Sequence, residues 1–273
     1  MNIFYTIKKL LTINSLIILL SCGLNPCSSI ASDTANSRFE ENKSYLDHPI
    51  PTIEDSNNFS FLVISDTHYQ NKNLEVGTKL NEIRQKYNAS FLIVNGDISE
   101  TGQNKQFQLF LDDMKNYNGI IYPVLGNHDI LNNGSKTFGK MLGKFIYYIE
   151  IRNIKLIFLD TSTGTFGNKQ KEWYEKELSS NKKIIVFTHY NFVTSTVQEI
   201  VSMSNAEDEY YFYKTNSKHN VKYVISGHLH KNNKKEIRGV KYQTLTKLQD
   251  KKESILLFSI KDNEISNELL NLP

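Results

Sequence analysis

Only two cysteines occur in the 273 residues, Cys22 and Cys27, so the chain beyond position 27 has no thiol. Neither disulfides nor thiolate ligands can therefore support the body of the protein. Net charge is almost absent as well. The formal value is +3, and beyond residue 21 the chain carries 30 basic against 29 acidic residues, a balance of +1. No basic excess is left for a polyanionic backbone, which argues against nucleic acid as a partner. The N-terminal apolar region, Leu10 to Leu20, is eleven residues long, short of the ~20 that a membrane-spanning helix needs. Internal repeats are missing too, and no low-complexity run lies outside one polar stretch near the N-terminus.

What is present reads as an ordinary globular protein, 39% hydrophobic and 22% charged. Lys8 and Lys9 ahead of Leu10–Leu20 have the form of an export signal over residues 1–21; a membrane anchor or a core helix is the alternative. Leu19-Leu20-Ser21-Cys22 resembles a bacterial lipobox, in which Cys22 would be acylated and hold the protein to the membrane of the cell envelope. Ser29-Ile30-Ala31 offers a competing cleavage site that would release a secreted or periplasmic form; the lipoprotein is favoured. Residues 22–56, rich in Ser, Asn, Asp and Pro, read as a solvated tether, or else as an irregular arm packed on the domain. Residues 57–273 are the right length for one domain.

Within that domain short apolar runs alternate with helical spacing. Strands are expected at Phe59–Ser65, Phe91–Val94, Ile120–Leu125, Lys183–Thr188 and Val221–Ser226. A hairpin is expected from Phe145–Glu150 and Lys155–Leu159 through Arg152-Asn153. Closing strands fall near Val240–Thr246 and Ser254–Ile260, and helices at Val76–Tyr87, Gln103–Tyr117 and Gln170–Leu178. The early half is a βαβ series and the later hairpins make the sheet mixed.

Five of the seven histidines fall at the ends of these strands. They occur in Asp66-Thr67-His68, Gly126-Asn127-His128-Asp129 and Gly227-His228-Leu229-His230, with His189 alone and Gly96-Asp97 between. In open α/β sheets ligands gather at the carboxyl ends of strands. Asp, Asn and His are oxygen and imidazole donors that suit Mn, Fe, Zn or Mg. Asp66 and His68, at i and i+2, would grip one ion if the chain there is extended.

Asp-x-His, Gly-Asp, Gly-Asn-His-Asp, His and Gly-His-x-His, in this order over roughly residues 59–232, resemble the calcineurin-like metallophosphoesterases. Leu159-Asp160-Thr161-Ser162 followed by Gln170-x-x-Trp173 is similar to the family's mid-domain strand and helix. The resemblance implies a four-layer α/β/β/α sandwich with two mixed central sheets and two divalent metal ions. One ion would be held by Asp66, His68, Asp97 and His230, the other by Asp97, Asn127, His189 and His228, with Asp97 shared. A metal-bridging hydroxide would attack a small phosphate ester, and His128 would protonate the leaving oxygen or stabilise charge there as imidazolium.

Where many relatives carry an aspartate that orients the catalytic histidine, this chain has Glu100. It either serves His128 through a longer reach or is a solvated carboxylate. Asp129 reads as a structural cap or a supporting group. Tyr69, Tyr190 and Asn191 adjoin ligand positions and could contact substrate, or merely pack. Asn191–Asn220 forms either a substrate-facing cap or a packed helix. The expected function is a phosphomonoesterase or phosphodiesterase, the alternative a non-catalytic surface lipoprotein on the same scaffold. A repair-type nuclease is disfavoured by the charge balance.

Overall fold

A computed structural model describes residues 33–53, 57–192, 203 and 206–273. The export signal, Cys22 and the site near Ala31 lie outside the described residues. Among the described residues eleven strands form two sheets. The first, in the order β11-β10-β1-β2-β3, is built from β1 (Asn58–Ile64), β2 (Ala89–Asn95), β3 (Ile120–Val124), β10 (Ile255–Lys261) and β11 (Glu264–Leu270). The second, in the order β4-β5-β6-β7-β9-β8, comprises β4 (Tyr147–Ile151), β5 (Ile154–Phe158), β6 (Lys183–Phe187), β7 (Val221–Ser226), β8 (Asn233–Ile237) and β9 (Val240–Thr244).

Both sheets are mixed. β1, β2 and β3 run parallel while β10 and β11 close antiparallel, and β5, β6, β7 and β9 run parallel between antiparallel edges β4 and β8. The side-chain period of two explains the layering. Phe61, Val63, Phe91, Ile93, Leu156, Phe158, Ile185 and Phe187 point between the sheets. Their neighbours Leu62, Ile64, Leu92 and Val94 face the helices on one side, and Ile157, Ile184 and Val186 face those on the other. Strands buried on both faces read as continuous apolar runs, which is why these were legible. Phe61 stacks on Phe91 and Phe258 at 4.8 and 4.9 Å, at the centre of the middle layer.

Helices α2 (Gly77–Lys86), α3 (Asn104–Met114) and α4 (Gly134–Leu142) cover the first sheet, and α5 (Asn168–Leu178) and α6 (Ala206–Asn216) cover the second. The α/β/β/α sandwich is therefore borne out. α6 buries Phe212 against Tyr174, so this part of the Asn191–Asn220 segment is a packed helix; residues 193–202 lie outside the described residues. Among the described residues no helix is long and apolar enough to cross a membrane.

The solvated tether requires correction between residues 33 and 53. Thr34 caps helix α1 (Ala35–Asn42), accepting from Ser37 N at 3.1 Å while Thr34 N donates to Ser37 Oγ at 2.8 Å. Arg38 is fully buried and donates to Asp160. Asn42 Oδ1 accepts from Phe145 N and Ile146 N, and its Nδ2 donates to Ile146 O, so one amide caps a loop as a strand would. Tyr122 Oη then donates to Pro49 O at 2.7 Å. Polar residues here are spent on buried partners in the domain, a use that composition does not reveal.

Candidate metal centre

Every proposed ligand sits just past a strand's carboxyl end: Asp66 and His68 after β1, Asp97 after β2, Asn127 after β3, His189 after β6, and His228 and His230 after β7. The loops are bound to one another by backbone bonds, Asp66 N to Gly96 O, His68 N to Asp97 O at 2.9 Å, and Gly227 N to His189 O. Convergence of Asp66 and His68 does not come from extended chain. Asp66, His68, Asp97, His228 and His230 all have positive φ, between 46° and 69°. Left-handed backbone costs a non-glycine residue roughly 1–2 kcal/mol. Its concentration at five site residues marks where the fold holds strain for the sake of side-chain placement.

Among the described residues three overlapping groups result, two of which share Asp97, while His68, Glu100 and His128 form the third. Asp66, His68, Asp97 and His230 present ligand atoms within 4.8 Å of one another, as do Asp97, His189 and His228. Asp97 Oδ2 lies 3.1 Å from His189 Nε2 and 3.8 Å from His68 Nε2, so one carboxylate faces both groups. Asn127 Oδ1 joins the second group, 3.1 Å from His189 Nε2.

The donor set fits cations. His189 is fully buried, and its Nδ1 lies 3.0 Å from the Asn95 carbonyl, to which it donates. Nε2 is thereby left toward two oxygens that are themselves acceptors, the arrangement expected of a metal-ligating imidazole. His228 Nε2 is buried without a protein hydrogen-bond partner. His68 and His230 oppose Nε2 atoms at 3.1 Å, which only a shared cation or proton makes favourable.

Electrostatics agree. Burial and the neighbouring His189 push His228 down to about 4, so its ring is neutral and its lone pair available. Burial holds His68 low as well, against the pull of Asp97 and Asp66. At His189 burial lowers the pKa, but the Asp97 charge and hydrogen bond outweigh it and raise the ring to about 10. Asp97 is correspondingly held well below the usual carboxylate range, its own burial outweighed by His189. Proton and divalent cation compete for the same lone pair.

A family model described as calcineurin-like phosphoesterase matches residues 59–232, which contain all of these groups. The chain belongs to that family. Among its relatives, a protein named probable glycerophosphodiester phosphodiesterase from Arcobacter nitrofigilis is 27% identical over 150 residues, 46% of this chain and 55% of the relative. The chain thus spans about half the length of that relative. A probable cyclic nucleotide phosphodiesterase of Vesicomyosocius okutanii is 25% identical over 197 residues, 63% of this chain and 79% of the other. Among solved structures, a dimetal phosphatase from Danio rerio shares the fold with a TM-score of 0.61 at 12% identity, covering 79% of this chain and 96% of that one. Yellow lupin purple acid phosphatase gives 0.63 at 15% identity over 81% of this chain and 53% of its own.

Tyr69, Tyr190, Asn191 and Asp129, beside these ligand positions, are buried. Tyr69 is fully buried and its hydroxyl donates to Asp113 Oδ2 at 2.7 Å, so it anchors α3 and does not face substrate. Tyr190 is also buried and stacks on His228 with ring centres 4.0 Å apart, and Asn191 is buried beside it. All three side chains are buried, as the packing alternative expects. Asp129 accepts from Ile98 N, Ser99 N, Ser99 Oγ and Gly126 N, tying the Asp97 loop to the Asn127 loop. Its pKa is raised to about 6, by burial first and then by Asp97.

Two supporting residues lacked a motif. Asn95 Nδ2 donates to Thr188 O at 3.0 Å while its carbonyl takes Ser65 Oγ and His189 Nδ1, so it joins three strand ends. A polar residue closing the apolar run Phe91–Val94 was the available signal. Thr246 Oγ1 lies 3.0 Å from His230 O and 2.6 Å from Asp250 Oδ2, bracing the last ligand from a loop with no local signature.

Proposed function

We propose that the chain is a two-metal phosphoesterase acting on phosphodiesters, with Asp97 shared between the two cations. The observation that carries this is the position of Asp97 in both ligand groups, fully buried and flanked by His68 and His189. Asp66, His68 and His230 would complete one cation site; Asn127, His189 and His228 would complete the other. Two divalent cations, of which Mn, Fe, Zn and Mg all suit the donors, would neutralise phosphoryl oxygens and lower the pKa of a water nucleophile.

The chain's own residues set the rest. His128 N donates to Asp97 Oδ1 at 2.9 Å, fixing the shared carboxylate's orientation. His128 Nδ1 donates to Glu100 O at 2.7 Å, which leaves Nε2 toward the site, 4.0 Å from Asp97 Oδ2. Held so and protonated on both nitrogens, a partly exposed imidazolium can pass its Nε2 proton to a departing alkoxide and keep its Nδ1 hydrogen on Glu100 O, a role worth roughly 10²–10⁴-fold. The diester preference is supported by the names of the two relatives, both phosphodiesterases. Export with acylation at Cys22, in preference to release near Ala31, belongs to the same reading, because it would place this site outside the cytoplasm.

Purified protein supplied with Mn would be assayed on bis-nitrophenyl phosphate and nitrophenyl phosphate. Diester turnover should exceed monoester turnover and fall roughly 10³-fold or more in Asp97→Asn. No turnover on either substrate, or full turnover in that variant, would defeat the proposal. Fewer than two ions bound per chain at saturation would defeat the two-metal part. Incorporation of a fatty-acid analogue that disappears in Cys22→Ala would support the anchor, and its absence from the wild type would refute it.

A further inference from the structure

Glu100 occupies the place where the family pattern leads one to expect a carboxylate serving His128, and its side chain goes elsewhere. Glu100 Oε2 lies 3.0 Å from His68 Nδ1, while Oε1 lies 3.9 Å from His128 Nδ1. The single hydrogen on His128 Nδ1 is already directed to the Glu100 backbone carbonyl at 2.7 Å. Residue 100 thus contributes twice, its main chain to His128 and its carboxylate to His68.

The placement is enforced by backbone. Tyr69 N donates to Ile98 O at 2.8 Å and Glu100 N to Tyr69 O at 3.0 Å, an isolated parallel bridge that pairs Tyr69 with Ser99 and holds the loop carrying Glu100 against the loop carrying His68. Asp129 clamps the same loop through Ile98 N and Ser99 N. The Glu100 carboxylate sits off the imidazole N–H axis, so the contact is a charge–dipole one and not a straight hydrogen bond. Glu100 supplies the one carboxylate within 4.0 Å of His68 Nδ1 among the described residues, and the His68 side chain is only 10% exposed. A carboxylate on the remote nitrogen of a ligand imidazole fixes its tautomer and strengthens its donor atom, typically by 10–100-fold in metal affinity.

We propose that Glu100 is a positioning residue for His68, tuning the cation affinity of the Asp66–His68–His230 half of the site and not the proton chemistry of His128. The inference rests on the two-cation reading. It also implies that the longer side chain matters, because an aspartate would withdraw the carboxylate by one carbon–carbon bond, about 1.5 Å.

Mn would be titrated calorimetrically into chelator-stripped wild type, Glu100→Ala, Glu100→Asp and Glu100→Gln. The wild type should bind in two steps. One step should weaken roughly 10–100-fold in Glu100→Ala, nearly as much in Glu100→Gln, which keeps the reach but loses the charge, and least in Glu100→Asp, which keeps the charge at a longer distance. The other step should stay within about twofold, and at saturating Mn the pH profile of diester turnover should keep its shape in all three variants. Two unchanged steps in Glu100→Ala would overturn the proposal. So would unchanged affinity with a displaced pH limb, which would return the carboxylate to His128. A wild type binding fewer than two ions would remove this proposal together with the two-cation reading, and is told apart from the other failures by appearing before any substitution.

Discussion

Arg38 Nε donates to Asp160 Oδ2 at 2.7 Å across 122 residues of sequence, with both side chains buried. The pair fastens α1 to the end of β5, and Asp160 also accepts from Ser162 N and Oγ. Removing one partner of a buried ion pair leaves the other charge desolvated and alone. Arg38→Ala should therefore lower unfolding free energy by about 3–5 kcal/mol in urea titrations. A loss of less than about 1 kcal/mol would show that the arm is a passenger on the domain.

Gly96 has φ +89°, and a Cβ there would lie 2.2 Å from His189 Nδ1. Gly239 has φ +78° with nothing within 4 Å. Both alanine variants pay the left-handed backbone cost, roughly 1–2 kcal/mol, which a thermal melt reads. Only Gly96→Ala should also displace the His189 ring and weaken metal binding, by an expected tenfold or more. Equal metal affinity in the two variants would contradict the placement of His189 as a ligand.

His128→Gln should reduce diester turnover roughly 10²–10⁴-fold. Metal stoichiometry should be unchanged if the two ions occupy the groups that share Asp97, from which His128 is absent; it stands with His68 and Glu100 in the third group. Loss of an ion, seen by elemental analysis, would make His128 a ligand and exclude the proton-transfer role.

His48 supplies a pH dependence away from the metal centre. Its Nε2 donates to Lys144 O at 2.6 Å and its ring lies 4.3 Å from that of Tyr147, and burial holds its pKa below the ordinary histidine value. The folded state keeps the ring neutral while the unfolded chain takes a proton near pH 6.5. Its stabilising contribution is thus complete above that pH and is lost as pH falls through the folded value. Wild-type melting temperature should drop more between pH 7.5 and pH 5 than that of His48→Gln. Parallel decline in the two proteins would show that His48 does not titrate with unfolding.

Legibility in the sequence followed burial on two faces. β1, β2, β5, β6 and β7 are mostly apolar and largely buried, and were visible as runs. β8, Asn-Lys-Lys-Glu-Ile, is a polar edge strand of intermediate and exposed residues and gave no such signal. Helix α1 was hidden in a Ser- and Asn-rich stretch, although Thr34 and Ser37 carried its cap. Asp66 and His68 were read as adjacent ligands for a reason that fails, since both are left-handed where extended chain was assumed.

By itself the sequence determined the alternation of strands and helices and the order of ligand types at strand ends, because alternation and apolar runs are local properties of neighbouring residues; the layering was what the family resemblance implied. Tertiary structure alone decided that Glu100 turns its carboxylate to His68 and its carbonyl to His128, and that Arg38 reaches Asp160. Those outcomes depend on which loops lie side by side after the sheets have closed. No local pattern encodes that, since the partners are brought together by packing between residues far apart in the chain.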